Sequence, residues 1–282
     1  MLAKKIKPMG IPVIYYVSPQ VWAWRKSRVK KIKEYCQKVL VLFPFEKKFY
    51  EEAGVPVEFV GHPILDELND KYFQQEYWKL HRQKYGITED EVVLGLMPGS
   101  RRGEIARHFE MQLEVAARIY KKFPKIRLLI MMAPTLKREQ LEPALENFKF
   151  PYLLLQETPY EMIHLADLIL AASGTATLMV GLLHKPMVIM YRFQFISGLI
   201  AKLLVRGVRY FGLVNLIFER EVVPERWQGQ ANPDELEKLL SRYLEDESYR
   251  SQVIADLRTL QSRLGDRGAT QRVARELKSF FD

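Results

Sequence analysis

Leu96-Met97-Pro98-Gly99-Ser100-Arg101-Arg102-Gly103-Glu104 follows the apolar run Val92–Met97 and opens a stretch of helical periodicity, Glu104–Phe123. Within that stretch Ile105, Phe109, Leu113, Ala116 and Ile119 recur at roughly helical spacing. A continuously apolar strand, a glycine-bearing turn and an amphipathic helix form the repeating unit of a parallel sheet covered on both faces. Gly99 and Gly103 permit close backbone approach to a ligand, and the amides of a helix start suit a phosphate. Arg101 can add a charge-assisted, bidentate contact to a diphosphate. The alternative is an ordinary strand–turn–helix corner with a solvated arginine pair.

The same reading repeats outward along the chain. Strand-length apolar runs occur at Val13–Val17, Val39–Phe43, Val57–Val60, Arg127–Met132, Tyr152–Leu155, Leu168–Ala172 and Met187–Met190. The run Leu168–Ala172 ends in Ser173-Gly174-Thr175-Ala176-Thr177, a second small-residue turn that leads into a helix. Two such turns at the carboxyl ends of neighbouring parallel strands would line one crevice, where open α/β sheets bind ligands. A nucleotide diphosphate is a natural occupant. The expected fold is therefore α/β, with two Rossmann-type parallel-sheet domains, the first incomplete. Residues 1–70 give a three-strand partial domain, 71–90 a polar and aromatic connector, 91–231 a five-strand ligand-binding domain, and 232–282 carboxyl-terminal helices. Asn232 is placed to cap the first of those helices, with Pro233 in its first turn.

Composition narrows the class further. With 48% hydrophobic and 27% charged residues, the 282-residue chain is globular rather than disordered. Its one cysteine, Cys36, excludes an internal disulfide and favours a reducing compartment. No apolar run approaches the roughly 20 residues of a membrane span, and the start lacks the pattern of a secretory signal. A cytoplasmic location is expected. The net charge of +9 is uneven: residues 1–50 hold 12 Lys/Arg against 2 Glu (+10), and the remainder 31 basic against 32 acidic residues (−1). Such local excess points to an anionic partner or to a solvated helix face. No nucleic-acid-binding module is recognisable, so nucleic acid is not the expected partner. No acidic pair or histidine cluster has metal-ligand spacing, so neither a metal nor a cofactor is expected.

Tyr16-Val17-Ser18-Pro19-Gln20-Val21-Trp22-Ala23-Trp24-Arg25 precedes the cationic Arg28, Lys30, Lys31 and Lys33. Its tryptophans suit stacking on a sugar or contact with lipid headgroups, or else packing into a core. This run, Phe43-Pro44-Phe45-Glu46, Val60-Gly61-His62-Pro63, Pro98–Glu104, Ala172–Thr177, Val214-Asn215-Leu216, Pro224-Glu225 and Gln228 stand in the order and near the spacing of the lipid-A-disaccharide synthases. The chain resembles that family over nearly its whole length.

The resemblance implies a GT-B glycosyltransferase whose carboxyl-terminal domain holds UDP. It would join UDP-2,3-diacylglucosamine to 2,3-diacylglucosamine 1-phosphate, releasing UDP and forming the lipid A disaccharide. By position, Gly99, Ser100, Arg101 and Glu104 match the diphosphate-side motif. Ser173, Gly174, Thr175 and Ala176 match the second UDP loop, and Asn215 matches a donor-site asparagine. The implied partners are a UDP-sugar donor, an acylated glucosamine phosphate acceptor and an anionic membrane surface. The implied location is peripheral, on the inner face of the inner membrane. The resemblance is also compatible with a homodimer. Besides the segment at Arg25–Lys38, the basic amphipathic stretch Phe193–Tyr210 suits a membrane interface or a core-packed helix.

Two departures accompany it. The family starts with roughly a hundred further residues that hold its candidate carboxylate base, so no general base is named here. After Thr175-Ala176-Thr177-Leu178 the family usually has Glu, suited to ribose hydroxyls, where this chain has Met179. A thioether accepts such hydrogen bonds poorly. Other expectations compatible with the residues are an inactive UDP-sugar-binding fragment and another GT-B N-acetylglucosaminyltransferase. For His62, a structural turn histidine is favoured over a role in the cleft.

Overall fold

The computed structural model describes residues 2–18, 28–192 and 210–280. These form two compact units. Among the described residues, the first unit runs to Leu68 and resumes at Gln261; the second comprises Asn69 to residue 192 and Tyr210–Leu260. Trp22, Trp24 and Arg25 lie outside the described residues, as does all of Phe193–Tyr210 except Tyr210 itself.

The first unit holds a three-stranded parallel sheet in the order β1 (Ile14–Tyr16), β2 (Lys38–Val41), β3 (Val57–Phe59). Val39, Leu40 and Val41 are inaccessible to solvent, as expected of a central strand covered on both faces. Ile32, from the helix Val29–Tyr35, joins Val39, Val41 and Tyr50 in the core, while Lys30, Lys31 and Lys33 of that helix face solvent. The end of β3 is closed at Gly61 (φ 80°), where an added Cβ would stand 2.6 Å from the Arg272 guanidinium. Arg272, on the helix Ala269–Lys278, donates to the carbonyl of Val60 at 2.7 Å, and Lys38 pairs with Glu276 on the same helix.

The second unit carries six parallel strands in the order β6-β5-β4-β7-β8-β9. They are β4 (Val92–Met97), β5 (Ile126–Met131), β6 (Tyr152–Leu155), β7 (Leu168–Ala172), β8 (Met187–Tyr191) and β9 (Glu225–Trp227). Renumbered within the unit, this is the 3-2-1-4-5-6 order of the doubly wound nucleotide-binding fold, with its switch point between β4 and β7. The register pairs Leu96 with Leu170 and Met97 with Ala171, so both strands end at one level. The sequence predicts five strands here. The sixth, β9, is a three-residue edge strand of Glu, Arg and Trp with no apolar run to announce it.

The helix Arg102–Lys122 packs Ile105, Phe109, Leu113, Ala116 and Ile119 into the core, the stripe read from the sequence. Asn232 caps the helix Pro233–Glu245, accepting the Glu235 N–H at 3.0 Å. The helix Gln75–Lys84 belongs to the second unit. Its Arg82 donates to Asp167 at 2.9 Å and to the carbonyls of Thr88 and Glu91 at 3.0 and 2.6 Å. Beside it, Glu161 accepts from Lys71 (2.6 Å), Tyr77 (2.7 Å) and Tyr72 (3.1 Å). Among the described residues, no helix is long and apolar enough to cross a membrane.

Candidate functional site

The two turns singled out in the sequence leave the carboxyl ends of β4 and β7, on either side of the switch point. Nothing but glycine fits easily at position 99. Its φ is 116°, and an added Cβ would lie 2.6 Å from Oε2 and 2.7 Å from Cβ of Glu104. The room this leaves lets Glu104 fold back over the turn. Glu104 Oε2 accepts the N–H groups of Ser100 at 2.9 Å and Arg101 at 3.3 Å, and Oε1 meets the Arg101 guanidinium at 3.3 Å. The sequence led us to expect free amides here. Those of Ser100 and Arg101 are instead held by the protein's own carboxylate, which leaves the N–H groups of Arg102 and Gly103 as the open donors of the first helical turn among the described residues. The Arg101 side chain is 83% exposed despite its contact with Glu104, so most of its guanidinium faces solvent. Thr135 steadies the turn by donating to the Ser100 carbonyl at 3.0 Å. Next to the turn, a hollow of about 540 Å³ is lined by Arg102, Ile105, Thr135, Lys137 and Gln140, among others.

On the opposite side of the switch point, Ser173 donates its N–H to Met190 on β8 at 2.9 Å. Gly174 and Thr175 are exposed and Ala176 half-buried, and an added Cβ at Gly174 would meet nothing within 4 Å. Thr177 is buried and donates its hydroxyl to the Gly174 carbonyl at 2.7 Å. Although this turn is rich in hydroxyls, none of them caps the helix: Thr177 braces the turn from within, and Ser173 and Thr175 remain the less buried hydroxyls. Met179 is half-buried on the helix Ala176–Leu182.

Asn215 differs from the others. It is fully buried, and all of its hydrogen-bonding capacity is spent within the protein. Its Oδ1 accepts from Val222 and Val223 N–H at 2.8 and 3.1 Å, and its Nδ2 donates to the Val223 carbonyl at 2.9 Å and to Glu225 at 3.2 Å. Glu225 in turn accepts the N–H groups of Phe211 and Gly212 at 2.7 and 3.0 Å, and burial raises its pKa against those bonds. Asn215 therefore orders the loop before β9.

Three further residues escape a motif-based reading. Gln112, fully buried on the apolar stripe, donates to the carbonyls of Met97 and Leu170 at 3.1 and 3.2 Å, tying the ends of β4 and β7 together beneath the turns. His108 Nε2 accepts the Arg192 N–H at 3.0 Å, and Arg107 donates to the Arg192 carbonyl at 3.1 Å, so the end of β8 is fastened to the same helix. The legible signal was polarity on an apolar stripe: a buried Gln or His there must have a specific partner. His62, in the first unit, is buried, accepts the Ile64 N–H at 3.1 Å and has its pKa lowered by burial to about 4, as a structural turn histidine should. Among the described residues, no group of three or more His, Cys, Asp or Glu is placed to hold a metal ion.

An all-parallel, six-stranded doubly wound sheet with two small-residue turns at its switch point defines a nucleotide-binding α/β unit of the GT-B kind. Solved structures share this fold. The HepE protein of Anabaena in complex with UDP matches 98% of this chain and 75% of its own, with TM-score 0.60 at 15% identity. The UDP-GlcNAc 2-epimerase of Neisseria meningitidis, bound to UDP-GlcNAc, matches 98% and 72%, with TM-score 0.63 at 14% identity. The family follows from sequence. The model of the lipid-A-disaccharide synthetase family matches residues 1–277, and the chain belongs to that family. The lipid-A-disaccharide synthase of Geobacter sulfurreducens is 37% identical over 274 residues, covering 97% of this chain and 70% of the relative. That of Nitrosococcus oceani is 37% identical over 276 residues, covering 98% and 70%.

Proposed function

We propose that this chain is the glycosyltransferase that joins UDP-2,3-diacylglucosamine to 2,3-diacylglucosamine 1-phosphate, forming the lipid A disaccharide and releasing UDP. Family membership supports the reaction. The observation that carries the donor site is the pair of turns at the β4/β7 switch point, one bearing a solvent-facing arginine and the other the less buried hydroxyls. In this reading the diphosphate lies against Gly99, Ser100, Arg101 and the open amides of Arg102 and Gly103. Charge that develops on the departing UDP is stabilised by the Arg101 guanidinium and by the helix start. Ser173, Gly174, Thr175 and Ala176 form the second wall. Glu104 shapes the first turn, and Asn215 acts through the loop it orders. Calorimetry with UDP tests the assignment. Saturable binding that is weakened in a folded Arg101→Ala variant is expected; no UDP binding by the folded chain sinks it. Disaccharide formation from the two acylated substrates tests the reaction itself.

The same proposal places the protein in the cytoplasm, peripherally attached to the inner face of the inner membrane, because donor and acceptor are both acylated. The helix Val29–Tyr35 supports this: Ile32 seats it on the core, while Arg28, Lys30, Lys31 and Lys33 are exposed. Each basic residue near an anionic bilayer is worth about 1 kcal/mol, screened by salt. Co-sedimentation with anionic vesicles at low salt and release at high salt are expected; no binding at low salt refutes the attachment.

A further inference from the structure

A hollow of about 440 Å³ opens where β4, β7 and β8 begin, at the opposite edge of the second sheet from the switch-point turns. Its wall includes Val92 and Leu168, the first residues of β4 and β7, and Pro186, just ahead of β8. The turn before β8 brings in Lys185, and the helix Glu247–Arg258 brings in Arg250 and Arg258.

The carboxylates of this hollow are already engaged. Asp167 accepts from Arg82 at 2.9 Å and from the Val93 N–H at 2.8 Å. Glu91 accepts the Thr88 N–H at 2.8 Å, and Glu89 pairs with Lys79 at 3.0 Å. Apart from Arg82, the cations of the hollow have no such partners among the described residues. Among the described residues, Lys185 Nζ reaches only the backbone carbonyl of His164, at 3.0 Å, and Arg250 only that of Tyr243, at 3.4 Å. Arg258 forms no hydrogen bond or ion pair among the described residues, and Nε of the deeply buried Arg82 lacks an acceptor. Lys185 and Arg250 are half-buried and Arg258 is exposed, and holding the first two partly out of water without an ion-pair partner is unfavourable. Burial pulls the Lys185 pKa down to about 8, although Asp167 acts the other way.

We infer that this hollow is a second ligand site that takes the phosphate of a small phosphomonoester. Three cations from two elements, none with an ion-pair partner among the described residues, match a dianion better than a single carboxylate, and guanidinium groups meet phosphate oxygens two at a time. The volume lies within the range of small-molecule sites and exceeds what a phosphate alone fills. Trp78, stacked on the Arg82 guanidinium at 4.5 Å, and Ile254 offer apolar wall to the remainder of such a ligand. The site stands independently of the donor reading, since it shares no residue with the switch-point turns.

Inorganic phosphate and then glycerol 3-phosphate, titrated calorimetrically at constant ionic strength with UDP present, test the inference. Saturable uptake is expected, weakened roughly tenfold by Arg258→Gln or Arg250→Gln, the loss of one charge-assisted hydrogen bond. Arg101→Ala, at the other edge of the sheet, leaves it unchanged. Lys185→Met separates binding from folding: it removes a cation that burial disfavours, so phosphate uptake falls while thermal stability holds or rises. No saturable uptake, or uptake in Arg258→Gln equal to that of the parent, overturns the site. Vesicles carrying phosphatidic acid test a lipid source, and Arg258-dependent sedimentation with them would overturn the assignment to a soluble phosphomonoester.

Discussion

Replacing Gly99 with alanine probes the geometry of the first turn more directly than removal of any charged group. At φ 116° the residue lies where only glycine rests without strain, and such positions cost other residues of order 1–3 kcal/mol. The neighbours worsen it. Of the two atoms an alanine Cβ would strike, Glu104 Oε2 at 2.6 Å can swing aside, but Glu104 Cβ at 2.7 Å is fixed by its helix. The turn must therefore shift, and Glu104 loses its grip on the Ser100 and Arg101 amides. Taking the strain alone, about 1–3 kcal/mol lowers Tm by about 2–12 °C for a domain of this size. The displaced turn would also weaken UDP binding by tenfold or more. Differential scanning calorimetry gives the first number and isothermal titration the second. Glu104→Ala in the Gly99→Ala background should recover little of the stability, because it keeps the Cβ that collides. A Gly99→Ala protein with the parent's Tm and UDP affinity would refute the reasoning.

Arg101→Ala should weaken UDP binding by about 1.5–3 kcal/mol, roughly 10–150-fold in Kd, with little change in Tm because the side chain is largely exposed; equal affinity in titration calorimetry counts against it. Asn215→Ala should cost about 3 kcal/mol in urea unfolding, since it strands the Val222 and Val223 amides and one face of Glu225 in the interior. Stability should also fall on acidification, in two stages. Burial holds His62 and His184 neutral down to about pH 4 and His164 to about 3, so the unfolded chain takes up protons first and stability is lost as pH drops below the ordinary value of 6.5. Burial raises the Glu161 pKa, but hydrogen bonds from Lys71, Tyr77 and Tyr72 outweigh it and bring it to about 2, so its contribution is full above 4.5 and is lost as pH falls toward 2. Urea midpoints measured from pH 7 to 3 check both, with Glu161→Gln reducing the lower stage; a flat profile disproves them.

Much of this was legible because it depends on local chemistry. Continuous apolar runs gave eight of the strands, since a parallel strand covered on both faces needs no polar alternation. Asn232-Pro233 marked a helix start by the hydrogen bond the asparagine makes. The glycine turns could be read because the residue types are those a ligand-facing bend requires. What stayed hidden depends on partners distant in sequence. β9 is held by pairing with β8 rather than by its own composition. Nothing in Glu104 distinguishes a carboxylate that folds back onto its own turn from one that awaits a ligand. Asn215 read as a ligand contact because its motif matched, but only coordinates show that its amide is fully occupied. The Arg82 guanidinium, joining the helix Gln75–Lys84 to Asp167 some 85 positions away, is likewise invisible to any local window.

The helix Arg102–Lys122 carries Glu104, Arg107, His108 and Gln112 along one side, at the three- and four-residue steps that bring side chains into line. Between them they fasten three pieces of backbone: Glu104 the first turn, Arg107 and His108 the end of β8, and Gln112 the paired ends of β4 and β7. Such an arrangement limits how the protein can drift over generations. A change at any of these positions shifts one wall of the crevice against the others, so replacements there should arrive in concert or fail. Deep mutational scanning would see this as strong epistasis among the four, set against near-independence for the helix's solvent-facing residues.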